Sequence, residues 1–245
     1  MPINITNVLK QGYGRTVKRN GLMLVGIIFV ISVVNGVVGV SVRATPTALA
    51  PSLAAGLVSV VLSIALLVVS IAAIRVFVSD ETERLPREFF TRNMVWAAVN
   101  VFIGMIVFGI IVALGLVALI VPGIFLLVTL AFWTVYVAVE DQNFVKAFRS
   151  SWGLTRGYRF NLLVLGVAVI LLTILVTIAF GFGDLASGSF VGDVVALVFA
   201  QAASAITTVF STAVLARAYT ELNTPDEGDI GETTSNDAPA ERPVA

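Results

Sequence analysis

The sequence predicts an all-α polytopic membrane protein, with six transmembrane helices arranged as three hairpins, each preceded by a short basic amphipathic cytoplasmic helix. Three observations predict it. Of the 245 residues, 58% are hydrophobic and 12% charged, about half the charged share of a soluble domain, so most of the surface is matched to lipid. Six apolar runs each approach the roughly 20 residues needed to cross a hydrocarbon core about 30 Å thick. The basic residues fall almost wholly in alternate gaps between those runs.

Residues 3–18 come first. Ile5, Val8, Leu9, Tyr13 and Val17 recur at roughly helical spacing with Lys10, Arg15 and Lys18 between them, the pattern of an amphipathic helix lying on a membrane surface. Gly12 and Gly14 weaken it, each by up to about 1 kcal/mol relative to Ala. The first span follows at 21–42. It is longer than the apolar core of a secretory signal, and Pro51 sits just after the only candidate cleavage motif, Ala48-Leu49-Ala50, so an uncleaved span is expected.

The second span is expected at 52–74, after a short loop carrying Arg43, Thr45 and Pro46. Ser79 to Arg92 is polar as far as Leu85, and there Pro86 is placed to open a short helix bearing Phe89 and Phe90. The uncharged block from Met94 to Val139 is more than twice the length of one crossing. It therefore divides into spans at 94–119 and 123–139. Pro122 and Gly123 mark the hairpin turn, because proline at a helix start loses no hydrogen bond and glycine permits a sharp reversal.

Glu140 to Asn161 is a charged, aromatic-studded interruption before the fifth span at 160–182. Phe144, Val145, Phe148 and Trp152 fall on one helical face and Lys146, Arg149 and Arg156 largely on the other, which predicts an interfacial helix with an aromatic underside. Lys146, Arg149, Arg156 and Arg159 are the candidate contacts for anionic lipid headgroups, each basic group near such a surface contributing about 1 kcal/mol. The stretch echoes the N-terminus: Lys10, Tyr13, Gly14 and Thr16 match Arg149, Trp152, Gly153 and Thr155. This suggests three repeats of one plan, a basic helix followed by a hairpin.

In the sixth span, 193–216, Ala196, Ala200, Ser204, Thr208, Thr212 and Ala216 recur every four residues. Small faces let helices approach closely in lipid, so this face is expected inside the bundle or between two copies of the chain. Residues 1–222 form the membrane domain, and 223–245, rich in Asp, Glu, Pro and Thr, read as a disordered acidic cytoplasmic tail.

Direction follows from charge. Twelve of the 15 basic residues lie before the first span, between the second and third, or between the fourth and fifth. By the positive-inside rule both termini are cytoplasmic, in a multi-pass protein of the cell membrane. Twelve of those 15 are Arg, and the tail is acidic; together they point to a high-salt cytoplasm and a haloarchaeal source.

The chain has no Cys and no His, which removes thiol nucleophiles, the usual zinc sites and the commonest acid–base side chain. No catalytic, metal-binding or cofactor-binding residue is assigned, and no nucleic-acid partner is indicated. Beyond hydroxyl side chains, the polar residues deep in the runs are Asn35, Asn100 and Gln201, all uncharged, whereas ion-coupled transporters carry ionisable groups there.

Pro122-Gly123, Glu140-Asp141, Lys146-Ala147, Ser151-Trp152 and Leu154-Thr155-Arg156-Gly157 together resemble a family of archaeal and bacterial membrane proteins similar to the membrane domain attached to some glycerophosphoryl diester phosphodiesterases. The resemblance covers about 40 residues. It implies a six-helix membrane domain and no chemistry, since the hydrolytic domain of those proteins is separate. The expected role is a non-enzymatic, lipid-interacting, scaffolding or lipid-handling component, with anionic membrane lipids as partners and a further copy or another membrane protein as a possible one. The alternative is a permease-like protein with a passive path between the repeats, near Asn100, Gln201 and the small face of the sixth helix.

Overall fold

A computed structural model describes residues 4–44, 49–79, 85–181 and 190–223. The predicted acidic tail, apart from Asn223, lies outside the described residues. Ten helices make up the described chain: α1 (Ile5–Val17), α2 (Arg19–Ala44), α3 (Leu49–Val78), α4 (Glu88–Thr91), α5 (Met94–Ala118), α6 (Ile120–Thr129), α7 (Trp133–Val139), α8 (Phe144–Leu154), α9 (Arg159–Phe180) and α10 (Phe190–Asn223). Six segments are long and apolar enough to cross a membrane, and α6 and α7 together make the fourth. The protein is an all-α polytopic membrane protein.

The hairpins are α2–α3, α5 with α6–α7, and α9–α10. Their shared core gathers at one end. In α3, Ile71 to Phe77 are all buried, whereas Leu53, Leu57, Val61 and Ile64, nearer its start, are exposed. In α9, Leu162 and Leu165 are buried, but Ile170, Leu171, Leu175 and Ile178 are exposed. Apolar side chains facing lipid cost little, so hairpins need not stay in contact over their full length.

The three short helices cluster at the packed end, each against the end of the span before it: α4 on α3, α8 on α7, and α1 on α10, which closes the ring. Asn4 N donates to Glu221 Oε1 at 3.0 Å, so the two described ends of the chain meet there. The repeat is visible atom by atom. Asn4 caps α1 by accepting from Asn7 N, and Asn143 caps α8 by accepting from Lys146 N, satisfying amides that a helix start leaves open. At the same separation, Val8 matches Ala147, both fully buried. Thr16 Oγ1 donates to Gly12 O at 2.9 Å and Thr155 Oγ1 to Ser151 O at 3.0 Å.

Two expectations are corrected. The reversal after α5 falls at Leu119, whose extended backbone (φ −163°, ψ 140°) separates two helices, and not at Pro122-Gly123. Pro122 is the third residue of α6, where its missing amide hydrogen has no helical acceptor to lose; Gly123 is there for contact, since a Cβ on it would collide with Leu116. The fourth span is not one helix, because it breaks at residues 130–132. The small face of the sixth span, expected inside the bundle or between two copies, lies largely outward in the single chain: Ala200, Ser204 and Thr208 are exposed, Ala196 and Thr212 half-buried, and only Ala216 buried. The core instead takes the neighbouring stripe Ala205, Val209 and Ala213. Thr212 Oγ1 donates to Thr208 O within its own helix, at 2.7 Å, so no partner helix is needed to satisfy it.

Candidate functional site

The break in the fourth span sets the geometry of everything around it. Backbone groups freed in an apolar region must find partners, since none come from lipid. Here they come from α8. Ser151 Oγ accepts from Phe132 N at 3.1 Å and donates to Thr129 O at 2.9 Å, and Thr155 Oγ1 shares its one proton between Ser151 O and Thr129 O, the latter at 3.2 Å. Ser151, Thr155 and Thr129 are fully buried. A helix that reads from sequence as a surface element is therefore bolted into the bundle through its hydroxyls.

The far end of α8 is held from α5. Asn100 Oδ1 accepts from Phe144 N at 3.2 Å while its Nδ2 donates to Trp96 O at 2.9 Å. Gly104 leaves room for Trp133 and Phe144 to lie against α5, and Trp133 meets Phe148 edge-on with ring centroids 5.2 Å apart. The aromatic underside of α8 is thus divided: Phe144 and Phe148 pack on protein, while Val145 and Trp152 are exposed.

The four predicted headgroup residues lie on the outer side of this assembly. Lys146, Arg149 and Arg156 are exposed, and Arg159 is half-buried. Its Cζ sits 4.7 Å from the centroid of the Phe125 ring and 5.1 Å from that of Trp152. Those two rings are themselves 5.6 Å apart and inclined at 76°, so the guanidinium occupies the corner between them. Such cation–π contacts contribute about 0.5–2 kcal/mol, more as the cation is desolvated. Among the described residues, no carboxylate pairs with any of these four cations.

Two basic side chains of the second gap, Arg75 and Arg92, behave differently. Arg75 is buried at the end of α3, its Nε donating to Ala138 O at 2.6 Å and its Nη1 to Phe89 O at 3.0 Å and Arg92 O at 2.7 Å. Asp141 lies 3.7 Å from Arg75 Nη2 and 3.0 Å from Arg92 Nη2. The Asp141 backbone takes a left-handed turn at φ 53°, a conformation that Asp tolerates better than most residues. Next to it, Glu140 accepts from Tyr219 Oη at 2.6 Å and from Gln142 Nε2 at 2.7 Å. Together these bonds tie α3, α4, α7 and α10 at the packed end.

A model of one protein family, described as a domain of unknown function (DUF7847), matches residues 3–222. The chain belongs to this family. No curated protein and no solved structure matches it. The DUF7847 match runs through all six candidate spans and the three short helices, so the hydroxyl bolt and the cation corner both fall within the family domain.

Of the residues singled out from the sequence, Arg159 and Trp152 are brought together and Lys146, Arg149 and Arg156 stay on the surface nearby in the chain. Asn100 serves as a clamp for α8. Arg75 was legible only as one more basic residue, and Phe125 gave no signal. Thr155 stood in the N-terminal echo, and Ser151 and Thr155 both stood in the resemblance, yet nothing in their identity foretold a bond to a broken helix. Among the described residues, no group of acidic side chains is arranged to hold a metal ion.

Proposed function

We propose that this DUF7847 protein is a non-enzymatic, lipid-interacting component of the cell membrane, with its termini cytoplasmic and its α8–α9 basic face against anionic headgroups. The observation that carries the reading is the contrast in pairing. Arg75 and Arg92 share Asp141, whereas Lys146, Arg149, Arg156 and Arg159 are left without a carboxylate among the described residues. An unneutralised basic face beside a membrane domain attracts anionic lipid within a Debye length of the surface. The resemblance to membrane domains that accompany glycerophosphoryl diester phosphodiesterases fits a lipid setting, and the acidic tail fits a haloarchaeal one.

The test is lipid retention in mild detergent, read by native mass spectrometry. The double reversal Arg149→Glu with Arg156→Glu is expected to reduce retention of an anionic phospholipid at least about tenfold. Retention equal to that of the unaltered protein would sink the reading.

One observation favours a second reading, a passive path between the repeats. Broken spans recur where transporters bind their substrates. Against it, the groups freed by this break are taken up by Ser151 and Thr155, and Asn100 is spent on Phe144. Solute flux through reconstituted vesicles decides between the two.

A further inference from the structure

We infer that the Arg159 corner is a binding site for a phosphate group, held deeper along the bundle than the exposed cations around it. The inference rests on the lipid-contact reading and names the chemistry recognised there. Its first support is position. Phe125 stands inside the fourth span, Ile120–Val139, on the α6 side of its break; at about 1.5 Å per residue it is roughly 8 Å along α6 from Ile120. The guanidinium that touches it therefore lies alongside the span, although Arg159 reads from sequence as part of a loop.

Its second support is incompleteness. Arg159 Nε is enclosed and has no hydrogen-bond partner, and no carboxylate pairs with the group among the described residues. A cation withdrawn from water without a counter-charge is costly. The two rings offset part of that cost and fix the guanidinium in place. The rings cover its faces, and among the described residues its terminal nitrogens make no hydrogen bond.

Its third support is the match of chemistry. A guanidinium is a planar fork that binds phosphate oxygens in pairs, which a lysine ammonium cannot reproduce. At the same place α9, 22 residues long, begins with Tyr158 as its cap and no side-chain cap bond, leaving its first amides open beside the same cation. Trp152 and Phe125 would pack against the glycerol and the start of the acyl chains, while Lys146, Arg149 and Arg156 draw the anion in. A phosphate carried by a membrane lipid and a soluble phosphate share this chemistry, and the experiment separates them.

Detergent-purified full-length protein is titrated with an anionic glycerophospholipid, with a diacylglycerol of the same acyl chains, and with inorganic phosphate. Lipid binding is read by native mass spectrometry and phosphate binding by phosphorus NMR. Arg159→Lys, which keeps the charge and loses the fork, is expected to weaken the phospholipid about tenfold. The pair Lys146→Gln with Arg149→Gln is expected to weaken it about threefold, and only at low salt. Diacylglycerol is expected to bind all variants equally weakly.

Unchanged phospholipid affinity in Arg159→Lys overturns the site, and loss of binding in the outer pair alongside it leaves the broader lipid reading standing. Inorganic phosphate bound by the unaltered protein and not by Arg159→Lys, with no lipid retained, keeps the phosphate site and overturns the lipid reading. Binding of none of the three overturns both. Should Arg159→Lys fail to elute as a single folded species, Trp152→Leu, which removes one wall of the corner and keeps the charge, takes its place with the same expected direction.

Discussion

α1 and α8 occupy equivalent places in two repeats and are docked by different chemistry. α1 lies against α10 across Gly12, where an added Cβ would come 2.5 Å from Val214 Cγ2 and 3.2 Å from the Val214 backbone. α8 lies against the fourth span across Ser151, at the matching position, through two hydrogen bonds to open backbone. The partner of α1 is one continuous helix, α10, and the partner of α8 is broken. A continuous helix has no spare backbone groups and is met best by close apolar contact; a broken one presents an N–H and a C=O that must be answered. The middle repeat solves the same problem a third way. Its four-residue helix sets Phe89 against the core, and Arg75 holds it by its carbonyls.

Removing the third solution should do the most damage. Arg75→Met would leave the carbonyls of Ala138, Phe89 and Arg92 without a donor and Asp141 with only the exposed Arg92, an expected loss of about 3–5 kcal/mol, measured by denaturant or thermal unfolding in detergent. A loss below about 1 kcal/mol would mean that α4 is held by something else.

The contrast between α1 and α8 is sharpened by exchanging their residues. Ser151→Ala should cost about 1–3 kcal/mol by orphaning Phe132 N, and Gly12→Ser a similar amount by overpacking against Val214. Ser151→Gly should rescue nothing, because the hydroxyl and not the volume is needed there. If instead the two sites accept each other's residue, the distinction fails. The smallest effect is expected on the outward stripe of α10, where Thr208→Val should change stability by less than about 0.5 kcal/mol. A larger change would show that another molecule covers that stripe.

Much of the fold was legible because it depends on sums. Length and hydropathy place six spans, and charge divides the gaps between them, without any single residue mattering. The break in the fourth span was hidden because Leu130, Ala131 and Phe132 are as apolar as their neighbours; only the fold shows that their backbone parts from the helix. Which stripe of α10 enters the core was not legible, since small side chains occupy adjacent stripes and periodicity alone cannot choose between them. Arg75 was masked by its company, as one of four basic residues in a gap that needed basic residues anyway. Of the candidate site, the cations and Trp152 were visible in the sequence. Phe125 was not, being one apolar residue among many until the fold sets it beside Arg159.

The seating of α1 on α10 has a consequence in time. The bond from Asn4 to Glu221 joins residues 217 positions apart, and Gly12 meets a helix that is the last of the ten to be made. As the chain leaves the ribosome, α2–α3 can form a hairpin, and α8 can engage the broken span within a few dozen residues of it. The first helix has to wait. Contacts so distant in sequence form late and expose unpaired surface meanwhile, so the nascent protein passes through a stage in which its opening helix is made but unplaced, and only synthesis of α10 ends it.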